Sequence, residues 1–423
     1  MKAYRWQVVV LLFLASVINY LDRSALSVAA PMIAKDLGLG PEQLGFIFSA
    51  FFVGYVLFNI AGGLLVDRVG AWKMLGISMA LWSLLCASTA LATGFWSLLL
   101  LRVVFGMAEG PLATSANKMV SNWFPKRQAA TAIGTALSGS PLGSAIAGPF
   151  IGLLAVNFGW RLSFVIAGVI GLVWMAFWFA RLSERPRGHS RVSAEEVAEI
   201  EADQPPVTRV TGPAPSLLSQ LAQPVVAATT VAFFGYNYIL YFFLTWFPVY
   251  LTNARNLSVH DMSIMNVLPW ALGFVGLATG GRVVDWVRGR TGKPMLAAKL
   301  VLAIGLGVAA IAAALAGQVT TAFSAVALVS VATFFLYLTG STFWVILQNR
   351  ISAAQLGGVG GIMHGVANCS GIIGPALTGL IVARTSFGYA GAFALAGALG
   401  LIAALVVAVV VRDTRADLAG AAA

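Results

Sequence analysis

Long apolar segments recur along the whole chain, and they constrain its fold more than any other feature. Each is about long enough to cross a bilayer as an α-helix, which takes roughly 20 apolar residues. Twelve can be placed, at residues 6–33, 42–66, 73–92, 95–121, 128–156, 160–181, 224–251, 260–284, 295–316, 320–348, 356–382 and 387–411. The sequence therefore predicts an all-α membrane protein of twelve transmembrane helices, numbered below as spans 1 to 12.

Composition and charge agree with this prediction. Of the 423 residues, 59% are hydrophobic and 10% are charged, whereas a soluble domain carries about 25% charged residues, so an ordinary soluble enzyme is excluded. The net charge is +11, but the basic residues lie mostly in short loops, and we expect a lipid bilayer and no nucleic acid as partner. Nineteen Lys and Arg residues fall on one side of the predicted membrane and four on the other, which predicts that both termini are cytoplasmic.

A polar stretch divides the spans into two sets of six. We predict an N-terminal bundle at residues 1–182, a cytoplasmic linker at 183–222, a C-terminal bundle at 223–415 and a flexible tail at 416–423. The tail consists mostly of small residues, which is typical of frayed termini.

A short motif occurs at equivalent places in the two halves, after spans 2 and 8. The first copy has Gly63 and Asp67-Arg68, and the second has Gly281 and Asp285, each followed by further basic residues. Glycine allows close helix contact, and the aspartate can pair with a basic residue or cap a neighbouring helix. Because the motif is duplicated, we favour a gating contact that forms in one state and breaks in another; a static salt bridge is the alternative.

With this motif, the chain resembles the major facilitator superfamily. Finer features resemble its anion:cation symporter family, namely Asn19-Tyr20-Leu21-Asp22-Arg23, Arg102 to Glu109-Gly110-Pro111, Asn122-Trp123-Phe124-Pro125, Gly159-Trp160-Arg161 and Trp246-Phe247-Pro248-Val249-Tyr250-Leu251. The resemblance implies the major facilitator fold, in which two pseudo-symmetric six-helix bundles rock around a substrate site near mid-membrane. It also implies a bacterial inner (plasma) membrane location.

Two acids and two arginines lie well inside the predicted spans, where charge is costly and each ionisable group is a functional candidate. They are Asp22, Arg23, Arg102 and Glu109. A guanidinium binds a carboxylate with parallel hydrogen bonds, and an anion arriving there would favour protonation of a nearby acid. The set predicts a proton-coupled anion carrier; a fixed ion-pair cluster that holds spans 1 and 4 together is the alternative.

The family resemblance implies roles for these charges. In similar symporters, the acids matching Asp22 and Glu109 carry protons, and the arginines matching Arg23 and Arg102 handle substrate charge or acid gating. We expect Arg23 to bind the substrate carboxylate directly and Arg102 to be the partner of Glu109. Lys118, further along span 4, is expected to extend to the membrane interface.

Polar and aromatic side chains within the spans are candidates for contacting the rest of the substrate. Tyr20 and Tyr55 can donate hydroxyl hydrogens, and a buried amide such as that of Asn368 requires a partner. Four further candidates are Tyr236, Tyr241, Trp344 and Gln348. For all of these, packing in the core or at the membrane interface is the alternative.

The predicted function is uptake of a small organic anion by proton symport with alternating access. A sugar acid (an aldonate, hexuronate or aldarate) is favoured, because hydroxyl-rich ligands suit the tyrosine and asparagine donors. Aromatic or dicarboxylic acids, such as phthalate or tartrate, are the alternative, while a proton-coupled drug or metabolite exporter and a non-transporting sensor are disfavoured. We predict no catalytic residues, no metal site and no cofactor other than the proton as coupling ion, and we expect a monomer.

Overall fold

The computed structural model describes residues 4–203, 216–351 and 355–412, and the regular structure of these residues is helical. Within them, twelve helices are long and apolar enough to cross a membrane. These confirm the twelve predicted spans, and most of their ends lie within a few residues of the predicted ones. The predicted tail at 416–423 and residues 204–215 of the predicted linker lie outside the described residues.

Two compact units make up the chain. Unit 1 consists of Met1–Leu39 and Ala50–Val210, and unit 2 consists of Gly40–Ser49 and Thr211–Ala423.

Unit 1 contains spans 1 to 6, apart from the beginning of span 2, together with one helix of the linker. Its helices are Trp6–Leu37 (span 1), Pro41–Val69 (span 2), Ala71–Ser88 with the 3₁₀ turn Thr89–Leu91 (span 3), Phe95–Glu109 and Leu112–Trp123 (span 4), Lys126–Leu137 and Gly139–Phe158 (span 5), Trp160–Arg181 (span 6) and Ala194–Ala202 (the linker helix). The linker helix begins at a conventional cap, because the Ser193 side chain accepts a hydrogen bond from the Glu196 N–H at 3.2 Å.

Unit 2 contains spans 7 to 12. Its helices are Leu217–Leu221, Pro224–Asn253 (span 7), Val259–Met265 and Val267–Thr291 (span 8), Pro294–Ala316 (span 9), Ala322–Thr339 and Thr342–Gln348 (span 10), Leu356–Arg384 (span 11) and Gly388–Val410 (span 12).

The first residues of span 2 belong to unit 2 because they bond to span 11. Arg384 donates hydrogen bonds to both carboxylate oxygens of Glu42, at 2.6 and 3.1 Å. The hydroxyl oxygen of Ser49 accepts a hydrogen bond from the backbone N–H of Ala376 at 2.9 Å. These ten residues are within the segment predicted as the N-terminal bundle, although their contacts group them with the second unit.

Span 4 is broken into two helices, and the break determines where its buried acid lies. Glu109 is the last residue of the first helix, and Gly110-Pro111 separates it from the second. Proline lacks an N–H and its ring clashes with the preceding helical turn, which explains why the first helix ends there. The apolar pattern predicted one continuous span and did not reveal this break.

Spans 2 and 4 are packed backbone to backbone. A Cβ atom at Gly54 would overlap the carbonyl oxygen of Val103, and one at Gly106 would overlap the carbonyl oxygen of Phe51. Small residues allow this close approach between membrane helices. The packing fixes the end of the first helix of span 4 relative to span 2.

Candidate functional site

A buried ion pair joins span 1 to span 4. Arg23 Nη2 donates to Glu109 Oε2 at 2.7 Å, and Arg23 Nε donates to the same oxygen at 3.3 Å. The Glu109 side chain is fully buried, and that of Arg23 is 5% exposed. Buried ion pairs seldom stabilise a fold more than apolar packing would, so stability alone is a weak reason for this pair. Both residues belong to one candidate site.

Three aromatic rings surround the Arg23 guanidinium. Its carbon Cζ lies 4.9 Å from the ring centroid of Tyr20 and 4.7 Å from the centroids of Phe51 and Tyr55. Each such contact stabilises a desolvated cation by about 2 kcal/mol. The sequence predicted Tyr20 and Tyr55 as substrate contacts, and the structure places both rings against the arginine. Phe51 was missed, although its four-residue spacing from Tyr55 puts both on one helix face.

Asp22 is fully buried in the same unit, and within the described residues neither of its carboxyl oxygens forms a hydrogen bond. The side chains of Trp82 and Cys86 and the charges of Arg102 and Glu109 act on its carboxyl electrostatically. An ionised carboxyl that lacks hydrogen bonds in an apolar interior is strongly unfavourable. Asp22 therefore differs from Glu109, whose charge is balanced by direct contact with an arginine.

The expectation that Arg102 pairs with Glu109 is wrong, since Arg23 occupies that position. Arg102 Nη2 donates to Thr89 Oγ1 at 3.3 Å, and its Cζ lies 4.8 Å from the ring centroid of Phe105. Seven residues of helix separate Arg102 from Glu109, a rise of roughly 10 Å, and span 1 provides a closer partner. Arg102 is 2% exposed and contributes positive charge near both buried acids.

The buried acids are next to arginines and are not arranged as metal ligands. Among the described residues, no group of three or more His, Cys, Asp or Glu side chains could hold a metal ion. The four buried charges instead place carboxyl groups close enough to guanidinium groups to pair with them or interact electrostatically.

Unit 2 holds a second buried polar cluster, between spans 7 and 11. The Tyr241 hydroxyl donates a hydrogen bond to Asn368 Oδ1. Asn368 Nδ2 donates to the carbonyl oxygen of His364 at 2.7 Å and lies 3.0 Å from His364 Nδ1. His364 is half-buried, and its ring centroid lies 5.7 Å from that of Phe233. This cluster presents hydrogen-bond donors and acceptors on uncharged phenol and amide groups.

Of the other candidates of unit 2, Tyr236 lies near this cluster, because its ring centroid is 5.9 Å from that of Phe233. Tyr236 is buried, and its ring packs edge-on against Phe343 at 5.4 Å. Trp344 and Gln348 are exposed, one turn apart on the second helix of span 10, and the Trp344 ring lies against Gly360 of span 11. Within the described residues, neither Trp344 nor Gln348 shares a hydrogen bond or ring contact with the cluster at Tyr241.

The duplicated loop motif differs between the units. Asp67 accepts a hydrogen bond from Lys118 Nζ at 2.6 Å, and these side chains are 73% and 33% exposed. Lys118 thus has a specific partner on span 2. In unit 2, Asp285 is exposed, and its carboxylate forms no ion pair within the described residues. Arg68 is also exposed.

The motif glycines do not make the close helix contacts expected of them. A Cβ atom at Gly63 would meet another atom only at 4.0 Å, and one at Gly281 would meet nothing within 4 Å. In each copy the preceding glycine, Gly62 or Gly280, is the one that packs against a neighbouring helix. Successive helical residues point about 100° apart, so a shift of one position changes which glycine faces the contact.

Glu184 has a role that its sequence context does not reveal. The sequence places it in the linker, yet its carboxylate accepts hydrogen bonds from the backbone N–H groups of Ala71 at 3.1 Å and Trp72 at 2.8 Å. It also accepts one from Asn122 Nδ2 at 3.1 Å. Glu184 therefore caps the first turn of span 3, where a negative charge is favoured by the helix dipole. Only the fold brings these segments together.

Comparison with known proteins decides the family. Residues 12–364 match the family model described as the Major Facilitator Superfamily. The chain belongs to the major facilitator superfamily. It is a multi-pass membrane transporter and not an enzyme. The crystal structure of a D-xylose-proton symporter aligns with 98% of this chain and 99% of its own, with a TM-score of 0.78 at 16% identity. At that identity, the likeness shows the shared fold.

Two curated relatives of this superfamily cover almost the whole chain. The "Hexuronate transporter" of Bacillus subtilis (strain 168) is 49% identical over 407 residues, which are 96% of this chain and 94% of the relative. The "Probable L-galactonate transporter" of Escherichia coli (strain K12) is 30% identical over 421 residues, which are 98% of this chain and 92% of that protein.

Proposed function

We propose that this transporter imports a sugar acid, with hexuronates first, by proton symport. The observation that carries the proposal is the buried pair of Arg23 and Glu109 at 2.7 Å. The substrate class is supported by the relatives, one named for hexuronate at 49% identity and one for L-galactonate. Both names denote hydroxyl-rich acids with one carboxylate.

Competition for Arg23 would couple the substrate to a proton. An incoming carboxylate can replace Glu109 on the guanidinium, because that group accepts a carboxylate in a bidentate geometry. Glu109 would then remain buried without its counter-charge, a state that proton uptake relieves. One proton would accompany one monoanion, so that the loaded carrier holds the same charge as the empty one.

Asp22 would be the second group that exchanges protons. It is fully buried, and both of its oxygens lack a hydrogen bond among the described residues. A protonated carboxyl tolerates that environment much better than an ionised one. The positive charge of Arg102 would remain near both acids while Glu109 is separated from Arg23.

Neutral groups would recognise the hydroxyls of the substrate. The rings of Tyr20 and Tyr55 lie against the Arg23 guanidinium, so their hydroxyls would contact the substrate next to its carboxylate. In unit 2, the pair of Tyr241 and Asn368 would exchange hydrogen bonds with sugar hydroxyls. Tyr236, Trp344 and Gln348 stay proposed contacts to the remainder of the substrate.

The distribution of loop charges supports an orientation with both termini in the cytoplasm of a bacterium. Transport would then run toward the termini, with the site open to one side of the membrane at a time. The motif residues Gly63, Asp67, Arg68, Gly281 and Asp285 would act in that switching. We propose that a monomer is sufficient for the cycle.

Reconstitution tests the proposal. Purified protein in proteoliposomes is offered D-glucuronate, D-galacturonate, L-galactonate, galactarate, phthalate and tartrate, with and without an external solution more acidic than the lumen. Hexuronates should accumulate only with the gradient, and a protonophore should abolish accumulation. Preference for phthalate or tartrate would move the substrate to the alternative class. Failure of every organic anion to enter, or uptake that ignores the gradient, would overturn the proposal.

A further inference from the structure

A cavity of about 960 Å³ opens in unit 1 between the start of span 1, the end of span 6 and the linker helix. None of the four buried charges lines it. Its volume lies at the upper end of the roughly 300–1,000 Å³ found for small-molecule sites. The proposed transport cycle assigns no role to this cavity.

One wall of the cavity is apolar and continuous with the surface of the spans. Trp6 and Val10 of span 1 and Phe177 of span 6 line it. They are 37%, 57% and 53% exposed, and exposed apolar side chains on a membrane helix face lipid. Tryptophan at the end of a span is typical of the headgroup level of a bilayer. The cavity therefore opens where acyl chains meet headgroups.

The mouth of the cavity is lined by three charged side chains that have no partner within the described residues. Arg181 is the last residue of span 6, and Arg191 and Glu195 come from the linker. All three are exposed, and their side chains form no ion pair or hydrogen bond within the described residues. The mouth thus offers two guanidiniums and one carboxylate.

The neighbouring acids Glu196 and Glu199 already accept hydrogen bonds, and these bonds fix the segments around the mouth. Glu196 accepts hydrogen bonds from the backbone N–H groups of Tyr4 at 3.0 Å and Arg5 at 2.9 Å. Glu199 accepts from Arg5 Nη1 at 2.8 Å and from Arg127 Nη2 at 2.7 Å. These bonds tie the linker helix to the start of span 1, so the cavity is bounded by fixed elements.

We propose that this cavity binds an aminophospholipid, a lipid with a phosphodiester and a primary ammonium in its headgroup, from the leaflet on the side of the termini. The phosphate lies against Arg181 and Arg191, because guanidiniums bind phosphate oxygens in a bidentate geometry and basic pockets beside membrane helices bind headgroups. The ammonium donates hydrogen bonds to Glu195. The part of an acyl chain nearest the headgroup lies along the apolar wall.

The carboxylate selects this headgroup over the two common alternatives. A wholly anionic headgroup would meet repulsion from Glu195. A choline headgroup carries the same charges as an ethanolamine headgroup, but its quaternary nitrogen has no hydrogen to donate. Only the primary ammonium satisfies the acid while the phosphate satisfies the arginines.

Native mass spectrometry of the purified full-length protein tests this. Phosphatidylethanolamine, phosphatidylcholine and phosphatidylglycerol with identical acyl chains are added at equal concentration. We expect the first to be retained best, by roughly two- to fivefold for the exposed ammonium–carboxylate contact. Soluble glycerophosphoethanolamine at the same concentration should not displace it, because it lacks the chain that covers the wall.

Variants distinguish lipid binding in this cavity from nonspecific lipid binding elsewhere on the protein. Glu195→Gln should bring retention of the ethanolamine lipid down to that of the choline lipid, and the double variant Arg181→Gln/Arg191→Gln should lower retention of both. Arg187→Gln is the matched control, since Arg187 is an exposed arginine of the same linker that does not line the cavity. Equal retention of the three lipids, best retention of phosphatidylglycerol, or the same loss in the control would overturn the proposal.

Discussion

Unit 1 buries two carboxyls and two guanidiniums, whereas the polar cluster of unit 2 consists of a buried phenol, a buried amide and a half-buried imidazole. A buried charge responds strongly to a second charge or to a proton. Uncharged phenol and amide groups respond instead to where a ligand places its own hydrogen-bond donors and acceptors. Under the proposed function, unit 1 would respond to the carboxylate of the substrate and to the proton, and unit 2 would respond to the pattern of hydroxyls.

Removing the arginine of unit 1 should have the largest effect. Arg23→Ala deletes a buried charge-assisted contact, a change that typically weakens binding by about 2–5 kcal/mol, or roughly 30-fold or more. We expect hexuronate binding, measured by calorimetry on purified protein, to fall by at least that factor. Arg161→Ala is the control, because water screens the half-exposed pair of Arg161 and Asp36, so its loss should change binding little.

The double variant Arg23→Ala/Glu109→Gln guards against misfolding, since it removes both charges of the pair. It should run as a monodisperse protein and still fail to bind. Near-normal binding by Arg23→Ala would show that the carboxylate is held elsewhere.

Neutralising the acid of the same pair should separate binding from coupling. Glu109→Gln keeps the shape of the side chain but cannot exchange a proton. We expect it to catalyse substrate exchange across proteoliposomes while losing gradient-driven accumulation, which for one proton reaches about tenfold per pH unit. The control variant Glu199→Gln, which changes an acid of the linker helix, should accumulate substrate normally. Accumulation by Glu109→Gln at the normal ratio would place coupling on Asp22 alone.

A change in the polar cluster of unit 2 should have a smaller effect. Asn368→Ala removes hydrogen bonds with a net contribution of about 0.5–1.5 kcal/mol, so KM for uptake should rise roughly two- to twelvefold. Asn157→Ala is a suitable control, because Asn157 is an exposed asparagine bonded to its own helix backbone at 2.8 Å. If Asn368→Ala abolished gradient-driven accumulation as Glu109→Gln is expected to do, the division between the units would be wrong.

The two copies of the loop motif offer a milder comparison. Asp67→Asn breaks an exposed contact with Lys118, which should change the uptake rate by less than about fivefold. Asp285→Asn should change it less, because among the described residues Asp285 has no partner to lose. Initial rates in proteoliposomes at saturating substrate measure both. An equal effect of the two substitutions would show that the Lys118 contact does not matter for turnover.

Substitution of Glu199, an acid of the linker helix, should have the smallest effect, and it should change only the stability of the protein. Hydrogen bonding to Arg5, and then to Arg127, holds the pKa of Glu199 below its ordinary value of 4.5. The native state thus favours the ionised form, so the stabilisation is present above the ordinary pKa and is lost as pH falls through the lowered one. Glu199→Gln should lower Tm slightly at neutral pH, and this difference should vanish in acid. Glu201→Gln serves as control, since Glu201 lies 3.9 Å from its arginine; a difference that grew in acid would contradict the assignment.

The spans could be predicted because their signal is a sum over about 20 residues, which single polar residues such as Asp22 do not cancel. The buried charges could be found because each is a single charged residue in an apolar segment. Their partners could not be predicted. Spacing along span 4 places Arg102 and Glu109 on one face, but the arginine that reaches Glu109 comes from span 1.

Other errors have the same origin. Gly63 and Gly62 are adjacent in sequence, and only the packing decides which of them meets a helix. Glu184 caps span 3 from more than a hundred residues away, and no local pattern contains that information. Contacts between distant segments depend on rotation of each helix about its axis, and a hydropathy pattern determines that rotation poorly when a helix is apolar on most sides.

The backbone contact between spans 2 and 4 has a practical consequence for anyone who wishes to retarget this carrier. At Gly54 and Gly106, even a methyl group would overlap a carbonyl oxygen of the other helix, and overpacking of this kind destabilises proteins by about 1–3 kcal/mol. A mutant library should therefore keep both codons unchanged. Randomising Tyr55 and Asn368 instead would vary groups that are proposed to contact the substrate, and it would leave the contact between the two helices intact.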